Sequence, residues 1–438
     1  MRFRAATVFQ SRDRQRADVL GPFADKSDGA ATTGSGCVRY LRARGLPSSA
    51  SCYIVGVKNL HLLAATALAC AAALAAPPEI RFQAHTIATG LSGGYHVVVA
   101  DMNHDGKPDI IALAAGLSEL VWYENPGWQR HVIVSGRKEM INLAVADIDG
   151  DGIPELLLAE GFSMNPAESA GNIWLLHHQG DPRAPWSMRL IDQLPTSHRL
   201  RAGLFGPGAT IGFVNAPLAG PHSTAPDYRD AIPLVLYHAG DWKREIISND
   251  LHGVLHGIFV TDWDGDGRDD LFTASFEGIH LFLNTPTGWV KTRIGAGDPS
   301  PWPKCGSSDV TVVKSRRGRE LAAIEPWHGN QVAIYHQDNA TWSRRVIDSS
   351  LEDGHTIVAA DFDGDGDEEV VAGFRKAHSL VLYHGDGHDG WTRRVLDDHI
   401  SATGCAVANL NASPHPGLVC IGSATADLVW YENLTGRP

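Results

Sequence analysis

Seven times in this chain a Trp or Phe is followed five residues later by an Ile or Leu: Phe82/Ile87, Trp128/Ile133, Trp186/Ile191, Trp242/Ile247, Trp289/Ile294, Trp342/Ile347 and Trp391/Leu396. Successive pairs lie 46, 58, 56, 47, 53 and 49 residues apart, and 47 residues follow Trp391. A unit of about 50 residues repeated seven times is the mark of a closed ring of small sheets. Each unit reads as four short strands. The first is apolar (Val97–Ala100, Ile258–Thr261), and an Asp/Gly-rich turn follows it. The second is apolar again (Ile110–Ala114, Leu271–Ala274). After a loop of variable length comes the third (Leu120–Tyr123, Ile173–Leu176, Leu380–Tyr383), and the Trp-to-Ile segment is the fourth. No long stretch of helical period competes with these β-branched and aromatic runs.

The seventh unit stops after its third strand, Leu428–Tyr431, and the first opens on an orphan fourth strand, Phe82–Ile87. The expectation is an all-β chain: a seven-bladed β-propeller of four-stranded blades, closed by the N-terminal strand. Such closure leaves no open sheet edge.

This fold is expected over residues 76–438. Residues 1–56 carry neither repeat nor period. They read either as an over-extended start, with translation beginning near Val57, or as a genuine disordered extension. Residues 57–75 have the layout of a secretory signal peptide: Lys58, the apolar run Leu60–Ala75, and Ala73 and Ala75 as an A-x-A site before Pro77. The run is short for a membrane span. The chain is therefore expected to be exported, to the periplasm or outside the cell.

Removing the first 75 residues leaves 27 basic and 46 acidic side chains, a net charge of −19 against −13 for the whole chain. Such a surface disfavours nucleic acid. Expected partners are a carbohydrate or small molecule, or another protein. Cys405 and Cys420 fall on two strands of one hairpin, where they form a disulfide or a buried pair of free thiols; Cys305 is the third cysteine of this region.

Four of the turns after first strands share one pattern: Asp101, Asn103, Asp105 and Asp109; Asp147, Asp149, Asp151 and Glu155; Asp262, Asp264, Asp266 and Asp270; Asp361, Asp363, Asp365 and Glu369. Oxygens at positions 1, 3, 5 and 9, with a glycine at position 6 for the bend, suit Ca2+ as a structural ion. The other three turns have Leu204, Ser315 and Asn409 at position 1 and are expected to close without metal.

Counting back six residues from position 1 of each turn places one residue per blade at the axial rim opposite these loops: Tyr95, Ile141, His198, His256, Asp309, His355 and Thr403. His96 and Asn142 follow two of them. The loops after second strands return to the same rim with Glu160, Glu277, Glu325, Trp327, His328 and Arg375. Neutral imidazoles in such a funnel suit Zn2+ or another divalent transition metal, with Asp309 as a possible further ligand. His198, His256 and His355 are the expected ligands or proton carriers, with Glu325 and Arg375 orienting substrate. Tyr95, His96, Asn142, Glu160, Glu277, Trp327 and His328 are expected to line the substrate side. The alternative is that the same histidines simply fill and hydrate the tunnel.

The D-x-D-x-D-G turns between strands resemble the FG-GAP/VCBS repeats of seven-bladed propellers. More narrowly, LVWYEN at residues 120–125 and 428–433, Ser197-His198-Arg199-Leu200-Arg201, Glu325-Pro-Trp-His-Gly-Asn330 and Asp353-Gly-His355 are similar to the propeller portion of the aldos-2-ulose dehydratases. That resemblance covers roughly residues 80–435. It implies a lyase that dehydrates sugar-derived ketoses such as 1,5-anhydrofructose. The alternative for the same funnel is a non-catalytic propeller module that captures a glycan or a protein.

Overall fold

The structure, a computed structural model, describes residues 79–436 apart from 207 and 209. The expected extension and signal segment, with cleavage before Ala76, lie outside the described residues. All regular structure in the described part is β, in seven four-stranded antiparallel sheets. Blades 1 to 6 span residues 94–135, 142–193, 197–251, 255–295, 309–348 and 354–397. Blade 7 takes three strands from residues 402–433 and its outermost strand, Phe82–Thr89, from the start of the described chain. That strand pairs antiparallel with Asp427–Asn433, from Phe82 opposite Asn433 to Thr89 opposite Asp427. First strands of successive blades lie side by side, and the first strand of blade 7 meets that of blade 1, so the ring is closed. Among the described residues no helix is long and apolar enough to cross a membrane.

The molecule has no single core. Seven apolar clusters each straddle two neighbouring blades. The repeated aromatic has one job in all seven units: it packs on the blade before its own. Trp186 of blade 2 joins the cluster with blade 1, Trp242 that with blade 2, Trp289 that with blade 3, Trp342 that with blade 4 and Trp391 that with blade 5. Trp128 packs on blade 7, and Phe82 of the closing strand on blade 6. Each such ring removes a large apolar area from water, worth about 2–3 kcal/mol when fully buried. A lone blade would leave these rings exposed, so blades are stable only as neighbours.

A polar clasp repeats beside the apolar one. The hydroxyl of Tyr383 donates to Asp348 of the preceding blade (2.7 Å), and so does Nε of Arg393 (2.9 Å). Asp192 takes the corresponding bonds from Tyr237 and Arg244, and Asp397 takes one from Tyr431. Cys405 and Cys420 face each other across the first two strands of blade 7 and are joined as a disulfide.

In all four acidic turns the loop folds around its own carboxylates. Asp147 accepts amide protons from Gly150 and Gly152, and Asp361 from Gly364 and Gly366. The position-9 carboxylates Asp109, Glu155, Asp270 and Glu369 are buried and accept the amide of position 2. Burial, ahead of the neighbouring loop carboxylates, pushes Asp109 up to about 7, Asp270 to about 6 and Glu369 to about 9. Two of the pattern-free turns are held from the next blade instead: Asp269 accepts the amide of Leu204, and Glu368 that of Lys314.

Candidate functional site

The axial rim is assembled from the first strands. In five blades the register of the first strand slips near its start at one residue, Tyr95, His198, His256, His355 or Thr403; blade 3 slips a second time at Phe205. Blades 2 and 5, whose rim residues are Ile141 and Asp309, pair without a bulge there. A bulge leaves its extra residue out of the ladder and re-aims its side chain. Here it turns these five residues toward one another at the end of the ring away from the acidic turns. Glycines let the inner strands come this close. A Cβ on Gly257, next to His256, would stand 2.6 Å from Cα of Asp309, and one on Gly404, next to Thr403, 2.8 Å from the carbonyl oxygen of Tyr95.

Four imidazoles gather at this end. Ring centroids of His256 lie 4.9 Å from those of His198, His328 and His355. One nitrogen each from His256, His328 and His355 falls within 4.8 Å of the others. His198, His256 and His355 are almost fully buried. Burial, reinforced by Arg199 at His198 and His256 and by His328 and Arg375 at His355, holds all three well below the ordinary imidazole range. Burial and then Arg375 bring His328 down to about 3. All four are neutral at physiological pH, the form in which imidazole binds metal.

Hydrogen bonds on the far side of each ring fix the tautomers. Nδ1 of His355 donates to the carbonyl of Thr403 (2.6 Å), which leaves Nε2 as a lone pair, buried and without a partner. Nδ1 of His256 donates to the carbonyl of Ser308 (3.1 Å), which aims its Nε2 lone pair inward. His328 Nε2 is 3.2 Å from His256 Nε2. Two ligands of a tetrahedral ion at bond lengths of about 2.0 Å stand about 3.3 Å apart, so this spacing fits one metal between them. Asp353 Oδ1 lies 3.5 Å from His328 Nδ1 and accepts from Arg375 Nη2 (2.7 Å). Arg375 Nη2 in turn donates to His328 Nδ1 (2.9 Å), so Asp353 holds His328 through the guanidinium, and the proton of the neutral ring sits on Nε2, facing His256.

The other expected site residues divide by environment. Tyr95 reaches the cluster, its hydroxyl 2.7 Å from Nε2 of His198. Arg375 reaches it through His328, with Nη2 at 2.9 Å from Nδ1. Trp327 packs against His328 with its ring tilted by 44°, and its buried indole nitrogen makes no hydrogen bond. His96 meets the amide of Leu143 at 3.5 Å, and Asn142 accepts the amide of Leu200 at 3.0 Å, so both hold neighbouring first strands together. The Asp309 carboxylate accepts the amides of Val310 (3.0 Å) and Ile357 (3.3 Å) and is not among the converging ligand groups; burial pushes it up to about 6.

Glu325 is fully buried and takes three bonds elsewhere: from Ser307 (2.9 Å), from Tyr335 and from Arg344 Nε (2.6 Å). Its carboxylate is a clasp rather than a group facing the histidines. Glu160 holds Trp174 and Arg137, and Glu277 pairs with His252. The third converging nitrogen belongs to His328, on a loop, whereas rim counting had put His198 in that place. The sequence places His328 at this rim but on the substrate side; the structure puts it among the converging nitrogens instead. Sequence reasoning gave no role to Arg199, which runs across the channel to His256 and Tyr95. Its place at an alternate position after His198 was the available clue.

Comparison with known proteins agrees with this architecture. Residues 170–338 match the family described as aldos-2-ulose dehydratase, beta-propeller domain; residues 101–158 match the FG-GAP-like repeat and 141–176 the FG-GAP repeat. The chain is 26% identical over 231 residues to aldos-2-ulose dehydratase of Phanerodontia chrysosporium. The match takes in 46% of this chain and 25% of that protein, so it spans about a quarter of the relative's length. Among solved structures, BBS1N in complex with ARL6DN superposes with a TM-score of 0.53 at 10% identity, over 83% of this chain and 99% of that one. An Agrocybe aegerita lectin that recognises non-reducing terminal N-acetylglucosamine gives 0.46 at 13% identity, over 78% and 86%. The chain is a seven-bladed β-propeller with FG-GAP repeats, related in part of its length to the propeller domain of aldos-2-ulose dehydratase.

Proposed function

We propose that this protein is an exported, calcium-stabilised propeller whose axial histidine cluster holds a divalent transition metal and removes water from an anhydroketose-like sugar. The observation that carries the reading is the convergence of His256, His328 and His355, with His355 Nε2 buried and lacking any partner. The donor set suits Zn2+: three imidazoles, two of them with the tautomer set by a backbone carbonyl, while His328 Nε2 would give up its proton on binding the ion. When bound, such an ion polarises the ketone oxygen and acidifies the neighbouring C–H.

The chain supplies the proton transfers. In the tautomer with its proton on Nε2, 2.7 Å from the Tyr95 oxygen, His198 keeps its buried Nδ1, which makes no hydrogen bond, to accept the proton from the carbon next to the carbonyl. Tyr95 gives its proton to the hydroxyl leaving from the next carbon and regains one from His198 Nε2. One proton and one hydroxide leave the sugar as water, and an unsaturated ketone remains. Arg375 and Asp353 keep His328 in place.

Ca2+ is assigned to the four acidic turns, residues 101–109, 147–155, 262–270 and 361–369. At the second, Glu155 Oε1 is buried and makes no hydrogen bond, with His177 Nε2 3.6 Å away, and an ion held by Asp147, Asp149 and Glu155 would satisfy it. Export rests on the segment before Ala76.

Incubation of metal-replete protein with 1,5-anhydrofructose, followed by the ultraviolet absorbance of a conjugated ketone, tests the reaction. Product is expected, and its absence from fully metallated protein rejects the lyase in favour of a binding module. N-terminal sequencing of secreted protein should begin near Ala76 or Pro77, and an intact Met1 there rejects export by this signal.

A further inference from the structure

Two guanidinium groups in the axial channel have no carboxylate partner. Arg199, 6% exposed, donates from Nε to the carbonyl of His256 (2.8 Å) and lies 3.4 Å from the Tyr95 hydroxyl. Arg201, partly open to the channel, donates from Nη1 to the carbonyl of Leu200 (2.8 Å) and lies 3.4 Å from Asn142 Oδ1. Its Nε and Nη2 make no hydrogen bond within the described residues. No carboxylate oxygen of the described residues comes within 4.0 Å of either group. Asp309, the one acid felt by Arg201, has its oxygens on backbone amides.

Several other arginines of the ring sit on carboxylates. Arg344 sits on Glu325, Arg393 on Asp348, Arg244 on Asp192 and Arg375 on Asp353. Buried cations are ordinarily paired, because desolvation without a counter-charge is costly. Burial first, and then the like charge of Arg199, bring Arg201 down to about 10. The imidazoles beside them are neutral and supply no negative charge. Two buried ring nitrogens, His198 Nδ1 and His355 Nε2, border the same space without partners.

We propose that the axial site takes a ligand bearing an anionic group, the carboxylate or phosphate of an acidic sugar, which pairs with Arg199 and Arg201. The carbohydrate part of this assignment rests on the function proposed above. The charge rests only on the two arginines and requires neither the metal nor the elimination. Guanidinium groups offer planar pairs of N–H donors that fit carboxylate and phosphate oxygens.

Titration calorimetry on the whole exported chain, at fixed ionic strength, with D-glucuronate, glucose 6-phosphate and glucose, decides the matter. At least one of the two anionic sugars is expected to bind about tenfold or more tightly than glucose, and whichever binds tighter identifies the anion. Arg201→Gln should weaken that sugar about 10- to 100-fold and leave glucose unchanged. If Arg201→Gln does not fold by circular dichroism, Arg201→Lys is measured instead; it keeps the charge, loses the fork and should fall between. Glucose binding as tightly as both anions, absence of binding by all three, or an Arg201 variant that leaves anion affinity intact overturns the proposal. Anion preference without turnover of a ketose rejects the dehydratase reading alone; turnover of neutral anhydrofructose without anion preference rejects this one alone.

Discussion

Replacement of His355 by Ala separates a ligand site from a tunnel merely filled with histidines. In the folded protein His355 is 1% exposed, donates to the Thr403 carbonyl at 2.6 Å and packs its ring on Tyr95, His256 and His328. Truncation leaves that carbonyl without its donor, which costs about 1–3 kcal/mol if it stays dry. The void is bordered by the polar rings of Tyr95, His256 and His328, which a water can bridge, so the cavity contribution stays small and about 2 kcal/mol is expected in all. Unfolding entropy near 2.1 cal/mol/K per residue, over about 360 ordered residues, gives roughly 0.75 kcal/mol/K, so Tm should fall only about 3 °C. Loss of one of three nitrogens should weaken transition-metal affinity by more than about 100-fold, beyond what loss of an outer-sphere partner produces. The assay pairs a calorimetric melt of the metal-free forms with a zinc titration against a competing chelator. Unchanged zinc affinity refutes the three-histidine site. A fall in Tm of more than about 10 °C would mean that His355 is chiefly a packing residue of the ring.

Three further outcomes follow from the same structure. Removal of Ca2+ by EDTA should lower Tm, and restoring Ca2+ should recover it, since an ion bound only by the folded state stabilises it by mass action; an identical melt in fully demetallated protein rejects the calcium assignment. Asp348→Asn should cost about 2–3 kcal/mol by weakening charge-assisted bonds from Tyr383 and Arg393. The Asp348 carboxyl is held below its usual range, against the opposing effect of its burial, by bonds from Ser350, Tyr383 and Arg393. Its contribution is therefore present above the unfolded value near 4 and lost as pH falls through the folded one, so denaturant melts of wild type and variant should converge as the pH is lowered through that range. His280, on the third strand of blade 4, is 5% exposed and is brought down to about 4, first by burial. The folded state resists its protonation, so stability should decline by roughly 3 kcal/mol as pH falls from about 6.5 to 4; His280→Leu should flatten that part of the stability profile, and an unchanged slope would refute the assignment.

What the sequence by itself determined is what repeats. Seven Trp-to-Ile segments gave the number of blades because each aromatic meets the same neighbour, the blade before it. The orphan strand Phe82–Ile87 gave the closure, since an unpaired fourth strand at one end matches a missing one at the other. The rim register gave Tyr95, His198, His256 and His355 a common end because strand geometry is local and is counted in residues. Tertiary structure alone decided what met across the ring. Tyr95 and His355 stand 5.2 Å apart between centroids though 260 residues separate them, a distance set by ring closure and by bulges that no local period announces. His328 enters the converging group from a loop whose path depends on its packing against the rim. Glu325 shares that segment, yet its carboxylate is drawn to Tyr335 and Arg344, because a buried acid goes to whichever cation and hydroxyl the fold brings within reach. Arg199 and Arg201 read in sequence as ordinary polar positions of a strand. Only the closed channel, with no carboxylate beside them, makes their charge a statement about a ligand.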